Sequence, residues 1–298
     1  MKTNQGFLAF AWQWVATLRQ AGRVRTAETY TCALNSFIRF HAQELPFEAI
    51  DAALLMAYEH HLRALGLCPN TTSFYLRNLR AIYNRAVEQQ LMPQRNPFKY
   101  VYTGIDKTVK RAVPIAVILR LKQLDLVTEP SLDLVRDLFL FSFYTRGMSF
   151  VDMAFLRRSD LRQGVLPYRR RKTNQQLLIR WYPLMQAIVD KHAREGSPYL
   201  LPIIQHPEKD TWKQYQTMSH YVNRKLKQLG ERVGMTIPLT TYVARHSWAT
   251  IAKEKNIPLS IISEAMGHDS ERTTRIYLAT LDLSGVDNAN QLILNLFR

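Results

Sequence analysis

The sequence predicts a mainly α-helical protein with a small β-hairpin, an α+β fold arranged as two domains joined by a basic linker. Apolar residues recur at helical spacing through residues 1–92. Prolines interrupt any period between residues 93 and 113, and residues 114–298 combine helical patterns with one stretch that has extended character on both sides of a turn. These three observations divide the chain of 298 residues into a helical domain, a linker and a mixed domain.

The N-terminal domain, residues 1–92, is predicted to contain four helices. Asp51 is placed to cap the third helix and Gly66 to end it, and Asn70 opens the fourth. The fourth helix carries Arg77 and Arg80 away from its apolar stripe. These two arginines are candidates for binding a polyanion, although each alone is equally well explained as solvated surface.

The mixed domain, residues 114–298, contains the segment VLPYRRRKTNQQLLIRWYP, which predicts a β-hairpin that turns at Thr173 and Asn174. Helices are predicted around it over residues 114–124, 131–144, 149–156 and 211–229, with another beginning at Pro183. A final segment, 286–297, is rich in Leu, Ile and Phe and has an amphipathic pattern.

The charge of the chain indicates its class of partner. Forty Lys and Arg residues stand against 24 Asp and Glu residues, for a formal net charge of +16. A protein this basic is attracted to polyanions, and the common cellular polyanions are nucleic acids. The basic residues are spread over the whole chain, which favours an extended contact surface. A ribosome-associated factor and a membrane-surface binder remain as alternatives at this point.

Several classes of protein are excluded or disfavoured by what the sequence lacks. Cys32 and Cys68 form neither a disulfide framework nor a metal site, so we expect them to be small core residues in a reducing, cytoplasmic compartment. There is no HExxH motif, Walker loop or glycine-rich dinucleotide turn, and no dense acidic cluster. We therefore expect no metal and no cofactor. The longest apolar run, near residues 138–144, is too short to span a bilayer, and the N-terminal segment has the pattern of a first helix.

The segment 239–277 carries the strongest chemical signal. Arg245 and His246 are followed by a Gly-His pair at Gly267 and His268, and Tyr277 lies nine residues beyond that histidine. The residues ARHSWAT and MGHDSERTTRIY resemble the catalytic box of the tyrosine recombinases, the phage-integrase family. The resemblance extends over the whole chain, because that family combines a helical core-binding domain, a basic linker and a mixed catalytic domain.

The resemblance implies a site-specific recombinase that cleaves and rejoins DNA through a covalent 3′-phosphotyrosine, without metal or ATP. Tyr277 would be the nucleophile, Arg245 would bind the scissile phosphate, and His268 would hydrogen-bond the phosphate or assist the tyrosine. Lys172, at the predicted hairpin turn, matches the lysine that protonates the leaving oxygen. Its neighbours Arg169, Arg170 and Arg171 are expected to contact the DNA backbone, and binding of the backbone by the whole run is the alternative for Lys172 itself.

These residue types suit the reaction. A free tyrosine has a pKa of about 10, so nearby cations are needed to favour the phenolate and to stabilise the charge that develops on phosphorus. Arginine offers planar paired donors to the non-bridging oxygens. The covalent intermediate conserves the energy of the cleaved bond, so that rejoining needs no ATP.

Two positions depart from the family pattern. Tyr242 stands where the family has the histidine of His-x-x-Arg, and it is read either as a phosphate hydrogen-bond donor or as a locally packed residue. The family also has a first arginine, in a pattern near Thr-Gly-x-Arg-x-x-Glu. When YTRGMSFVD is aligned with this pattern so that Asp152 matches the acidic residue, Ser149 stands at the position of that arginine. We expect Arg146, about one helical turn earlier, to reach the same phosphate; the alternative is that Arg146 pairs with an acidic neighbour.

The resemblance also implies an assembly. Family members act as a homotetramer on two double-stranded DNA sites, through a Holliday junction, and the free protein is expected to be a monomer or weak oligomer in a bacterial cytoplasm. Residues 286–297 are expected to dock on a neighbouring subunit, or else to fold back on their own. The first helix is predicted to begin almost at Met1, so we expect no arm-binding domain and a simple inverted-repeat core site. The competing classes are a type IB topoisomerase or telomere resolvase, and a non-catalytic DNA-binding relic.

Overall fold

The computed structural model describes residues 6–106, 111–268 and 274. The chain divides into two compact units, Met1–Lys107 and Thr108–Arg298. The described residues are mostly helical and contain one antiparallel two-stranded sheet. The predicted mainly α fold with a small β-hairpin is therefore confirmed.

The described residues of the first unit contain four α-helices around an apolar core: α1 (Phe7–Gln20), α2 (Val24–Phe40), α3 (Ala52–Ala64) and α4 (Pro69–Glu88). Asp51 caps α3 as predicted, because its carboxylate accepts a hydrogen bond from the Leu54 amide at 2.8 Å. Helix α4 begins one residue before the predicted start, since Pro69 at the first helical position has no amide hydrogen to satisfy. Phe37 and Tyr58 meet edge to face in the core, with ring centroids 5.1 Å apart.

The prediction that both cysteines are core residues was wrong. Cys32 and Cys68 are both exposed. Cys32 lies on α2 outside the buried stripe formed by Ala33, Leu34 and Phe37, and Cys68 is the residue that precedes α4.

Much of the segment predicted as a linker, 93–113, packs against a domain. Phe98 and Val101 are buried in the core of the first unit, since a proline-rich segment that cannot continue a helix can still bury its apolar side chains. Asn70 exchanges two hydrogen bonds with the backbone of Asp106. At the other end, Val113 is buried in the core of the second unit.

The second unit contains seven helices in its described residues, with the β-hairpin between the third and fourth of them. In chain order these are α5 (Ile115–Gln123), α6 (Pro130–Tyr144), α7 (Phe150–Ala154), β1 (Val165–Arg169), β2 (Gln176–Arg180), α8 (Pro183–Lys191), α9 (Thr211–Arg232), α10 (Thr241–Glu254) and α11 (Leu259–Met266). Helix α6 is central, and four consecutive residues from Leu138 to Phe141 are buried. In the hairpin, Val165 pairs with Arg180 and Arg169 with Gln176. No helix in the described residues is long and apolar enough to cross a membrane.

A charged cluster joins α6 to α8. Asp137 accepts hydrogen bonds from Lys191 and Arg136 and lies 2.8 Å from His192 Nε2. Burial raises the pKa of Asp137, but the hydrogen bonds from His192, Lys191 and Arg136 outweigh burial and hold it at about 2. Asp133, Asp137 and His192 are close enough to share a cation. The ammonium and guanidinium groups of Lys191 and Arg136 already supply positive charge there, so we interpret the cluster as structural.

Candidate active site

Arg245 lies on α10 and is 2% exposed. Its Nη1 donates to the Gly147 carbonyl at 2.8 Å and its Nη2 donates to the Met266 carbonyl at 2.6 Å. One guanidinium therefore joins the turn after α6 to the C-terminal end of α11.

The turn after α6 approaches Arg245 so closely that it requires a glycine. A Cβ at Gly147 would lie 2.6 Å from Arg245 Cα, and Gly147 has φ +73°. The preceding residue, Arg146, also has a left-handed backbone, with φ 61°. Ser142 fixes this turn, because its carbonyl accepts from the Gly147 amide and its hydroxyl donates to the Met148 carbonyl. A strained non-glycine residue held beside the buried arginine is typical of functional sites.

His268 is neutral in this structure. Its Nε2 lies 3.1 Å from Arg245 Nη2. Because a guanidinium is always a donor, Nε2 must accept, and Nδ1 must carry the proton that it donates to Thr274 Oγ1 at 2.7 Å. Burial, together with the positive charges of Arg245, Arg170 and Lys172, lowers the pKa of His268 to about 4.

The hairpin packs against the glycine that precedes His268. Gly267 ends α11 in the left-handed conformation, with φ 62°. A Cβ there would lie 2.9 Å from Leu177 Cδ1. Arg170 donates a short hydrogen bond from Nη1 to the Gly267 carbonyl. The Gly-His pair is thus held between α10 and the hairpin.

The three arginines of the hairpin differ in environment. Arg169 is exposed and donates to the Asn174 carbonyl across the turn at 2.7 Å. Arg171 is exposed, with its guanidinium carbon 3.8 Å from the centroid of the Phe155 ring. Arg170 is 5% exposed, so it does not form one exposed basic run with Arg169 and Arg171. The alternation of side chains along a strand places it on the same face as Tyr168, which points inward.

Asp152 holds the hairpin turn in place. Its Oδ2 accepts from the Ser149 hydroxyl at 2.6 Å and its Oδ1 accepts from the Arg171 amide at 3.0 Å. Lys172 follows directly and is exposed, yet its charge acts on His268. The sequence identified Asp152 only as an acidic landmark, since nothing in the chain order shows that it contacts the hairpin.

Tyr168 was missed by the sequence reasoning. Burial and the charge of Asp152 raise its pKa to about 12, although Arg245, Arg170 and Arg146 act in the opposite direction. The phenol is therefore close to the charges of all three arginines. The available signal was its position two residues before Arg170, because alternation along β1 places the two side chains on the same face.

Arg146 and Tyr242 lie at the two departures from the family pattern. Arg146 is half-buried, and no carboxylate in the described residues forms an ion pair with it. Tyr242 is 48% exposed and packs edge to face on His246, with ring centroids 5.1 Å apart. The ring packs locally while the residue remains accessible, so both interpretations of Tyr242 stand.

The remaining predicted residues lie elsewhere or outside the description. Arg80 donates from Nη1 to Thr103 Oγ1 at 3.0 Å, and Arg77 is half-buried on the same helix of the first unit. Tyr277 and the segment 286–297 lie outside the described residues.

Comparisons with known proteins identify the family of the chain. The phage integrase SAM-like domain matches residues 6–104, and the phage integrase family model matches residues 136–283. The chain is 26% identical to the tyrosine recombinase XerA of Pyrococcus furiosus over 259 residues, which cover 85% of this chain and 82% of XerA.

Solved structures share the fold. A lambda integrase fragment, solved as a dimer on a core site, aligns with a TM-score of 0.70 at 16% identity, over 93% of this chain and 96% of that one. A lambda integrase tetramer on a Holliday junction aligns with a TM-score of 0.68 at 17% identity, over 90% of this chain and 76% of that one. The two family models take in most of the chain, including the segment with Arg245, His268 and Tyr277. The chain therefore belongs to the tyrosine recombinase family, the phage integrases, and is a DNA strand transferase that carries out site-specific recombination.

Proposed function

We propose that Tyr277 attacks a scissile DNA phosphate that is bound by Arg245, Arg146 and Lys172, with His268 assisting the tyrosine. The observation that carries this proposal is the hydrogen bond between Arg245 and His268. An entering phosphate can accept from the buried guanidinium and leave Nε2 of the neutral imidazole as an acceptor for the phenol proton, with little reorganisation of the backbone.

In the cleavage step, the Tyr277 oxygen forms a bond to phosphorus and the bond from phosphorus to the 5′ oxygen breaks. Lys172 donates a proton to that oxygen, which leaves as a 5′-hydroxyl. The phenol proton passes to Nε2 of His268, which accepts a hydrogen bond in this structure. The product is a 3′-phosphotyrosine, and the reverse steps with a second 5′-hydroxyl rejoin the strand.

The developing charge on the phosphate requires cations. Arg245 offers donors to one side of the phosphate, and Arg146 supplies a second guanidinium from the turn that Arg245 contacts. The exposed Tyr242 would be a further hydrogen-bond donor to the phosphate. Basic residues, including the exposed Arg169 and Arg171 on the hairpin and the half-buried Arg77 and Arg80 on the first unit, would contact the DNA backbone. Such contacts fix the register without specifying sequence.

The proposed assembly is a homotetramer on two DNA sites, each with inverted-repeat half-sites, in a bacterial cytoplasm. Lambda integrase has been crystallised as a dimer on a core site and as a tetramer on a Holliday junction. We propose the same arrangement for this chain, with residues 1–92 as the core-binding domain, 93–113 as the linker, 114–298 as the catalytic domain and 286–297 as the docking segment. The free protein would be a monomer or weak oligomer.

A strand-exchange assay tests the proposal. Two duplexes from the DNA that flanks the gene, each containing an inverted repeat and one carrying a label, are incubated with the protein in EDTA without ATP. We expect recombinant duplexes, with a four-way junction as an intermediate. Relaxation of supercoils without any exchange between duplexes would favour a topoisomerase, hairpin ends would favour a resolvase, and binding without cleavage would favour the relic.

A further inference from the structure

One hairpin arginine differs from its two neighbours in its burial. Arg170 is 5% exposed, whereas Arg169 and Arg171 are exposed. The pleat of β1 turns alternate side chains to opposite faces, and Arg170 continues the inward face of Tyr168. Burial removes the guanidinium of Arg170 from water. This desolvation costs free energy unless a hydrogen-bond or ion-pair partner compensates it.

The partners of Arg170 only partly compensate it. Nη1 donates to the Gly267 carbonyl, and the buried Nε has no hydrogen-bond partner within the part of the chain that the structure describes. In the described residues no carboxylate forms an ion pair with Arg170. The buried Arg136 provides the comparison within the same unit, because it forms ion pairs with both Asp133 and Asp137. Acids thus neutralise the buried Arg136, whereas none among the described residues neutralises Arg170.

The site lies directly beside this uncompensated charge. Arg170 binds the Gly267 carbonyl while Arg245 binds the Met266 carbonyl and approaches His268. Two buried guanidinium groups therefore act on three consecutive residues at the end of α11. The charge of Arg170 also contributes to the low pKa of His268.

Ser149 stands at the position of the family's first arginine, and its side chain has another role. Ser149 donates its hydroxyl to Asp152, and a serine carries no positive charge. We propose that Arg170 is a catalytic residue that donates to a non-bridging oxygen of the scissile phosphate and supplies the cation that Ser149 lacks. This inference rests on the proposed function. It adds Arg170 of the hairpin to the phosphate-binding residues, whereas the family pattern has its first arginine at the position of Ser149.

A structural role is the competing explanation, because Arg170 also fixes the hairpin against Gly267. The two roles are separated by changing the charge of the substrate. Once wild-type cleavage has been mapped, the scissile phosphate is replaced by a methylphosphonate, which removes one negative oxygen. An arginine that neutralises that oxygen becomes dispensable on the neutral substrate, whereas an arginine that only positions the hairpin is needed equally on both.

The measured quantity is the ratio of covalent-complex formation rates on the phosphodiester and the methylphosphonate. This ratio does not depend on the fraction of folded protein. We expect the ratio to fall by about 100-fold in Arg170→Ala, the effect of removing one donor to a transition-state oxygen. Arg170→Lys, which keeps the charge but not the paired donors, should lie between Arg170→Ala and wild type.

Arg180→Ala is the matched control, since Arg180 is an exposed arginine at the far end of β2 and lies outside the site. It should keep the wild-type ratio. An unchanged ratio in Arg170→Ala, whether or not the absolute rates fall, would overturn the inference. If wild type itself forms no covalent complex on either substrate, the proposed function fails instead.

Discussion

Arg245 Nη2 and His268 Nε2 lie 3.1 Å apart, so these two candidate site residues bond to each other. The arrangement fixes the imidazole tautomer, because Nδ1 must then donate to Thr274. The site thus holds a buried cation beside a neutral base. An entering phosphate would replace this contact and leave both residues near the positions that they need.

His268 should titrate far below an ordinary histidine. Its folded-state pKa is about 4 against an ordinary value of 6.5, so it should stay neutral as the pH falls from 7 to 5. The unfolded chain takes up this proton first, and the contribution of His268 to stability is therefore lost as the pH falls from 6.5 towards 4. NMR titration of labelled imidazoles, assigned with His268→Gln, measures this pKa.

DNA should raise the same pKa, because a phosphate near Nε2 favours the charged imidazole. The free and DNA-bound states of one sample provide the comparison. A free-state midpoint near 6.5, or no change on binding cleavable-site DNA to the Tyr277→Phe variant, would contradict the arrangement of Arg245 and His268.

Arg146→Ala should reduce covalent-complex formation by about 100-fold, the effect of removing one donor to a transition-state oxygen. The left-handed backbone of Arg146 beside Gly147 is the reason for this expectation. Arg120→Ala, an exposed arginine on α5, is the control. Wild-type rates in Arg146→Ala together with a large loss in Arg170→Ala would assign the position of the second guanidinium to Arg170 alone.

Lys172→Ala should slow cleavage of an ordinary phosphodiester by about 100-fold or more, the usual contribution of a general acid. A substrate with sulfur in place of the 5′ bridging oxygen needs no proton on its leaving group, so the variant should cleave it at nearly the wild-type rate. Lys122→Ala on α5 serves as the matched control. Equal losses on both substrates would show that Lys172 only binds or positions the DNA.

Gly147→Ala should disable the site and lower stability. The new Cβ would lie 2.6 Å from Arg245 Cα, and the left-handed backbone would itself be strained. We expect a loss of at least about 1 kcal/mol in the free energy of unfolding from the backbone alone, measured by urea denaturation. Gly164→Ala is the control, because Gly164 has φ +72° but no atom within 4 Å of its Cβ position. Equal losses in both variants would show that contact with Arg245 contributes nothing.

The order of Arg245, His268 and Tyr277 along the chain was enough to identify the family, because these residues lie on one continuous segment with fixed spacing. The helices were predicted from the helical spacing of apolar residues, which is also a local pattern. Within the predicted linker, 93–113, the prolines show where a helix stops, but they do not show that Phe98 and Val101 pack on a core.

The sequence did not show which side chain of the RRRK run, residues 169–172, is buried. Alternation along a strand indicates that Arg170 and Tyr168 share a face, but which face is inward depends on the contact between Gly267 and the hairpin, 97 residues away in the chain. The contact between Asp152 and the Arg171 amide, 19 residues apart, has the same origin. Such contacts belong to the tertiary fold and leave no local pattern.

The account depends most on Tyr277, and the covalent adduct tests it directly. Wild type, Tyr277→Phe and Tyr182→Phe, the last an exposed tyrosine outside the site, are incubated with labelled duplexes from the DNA that flanks the gene, digested with protease and analysed by mass spectrometry. We expect wild type and Tyr182→Phe to yield one peptide that carries a 3′-phosphate-linked nucleotide on Tyr277, and Tyr277→Phe to bind the DNA without any adduct. An adduct on another residue, or one that persists in Tyr277→Phe, would contradict the account.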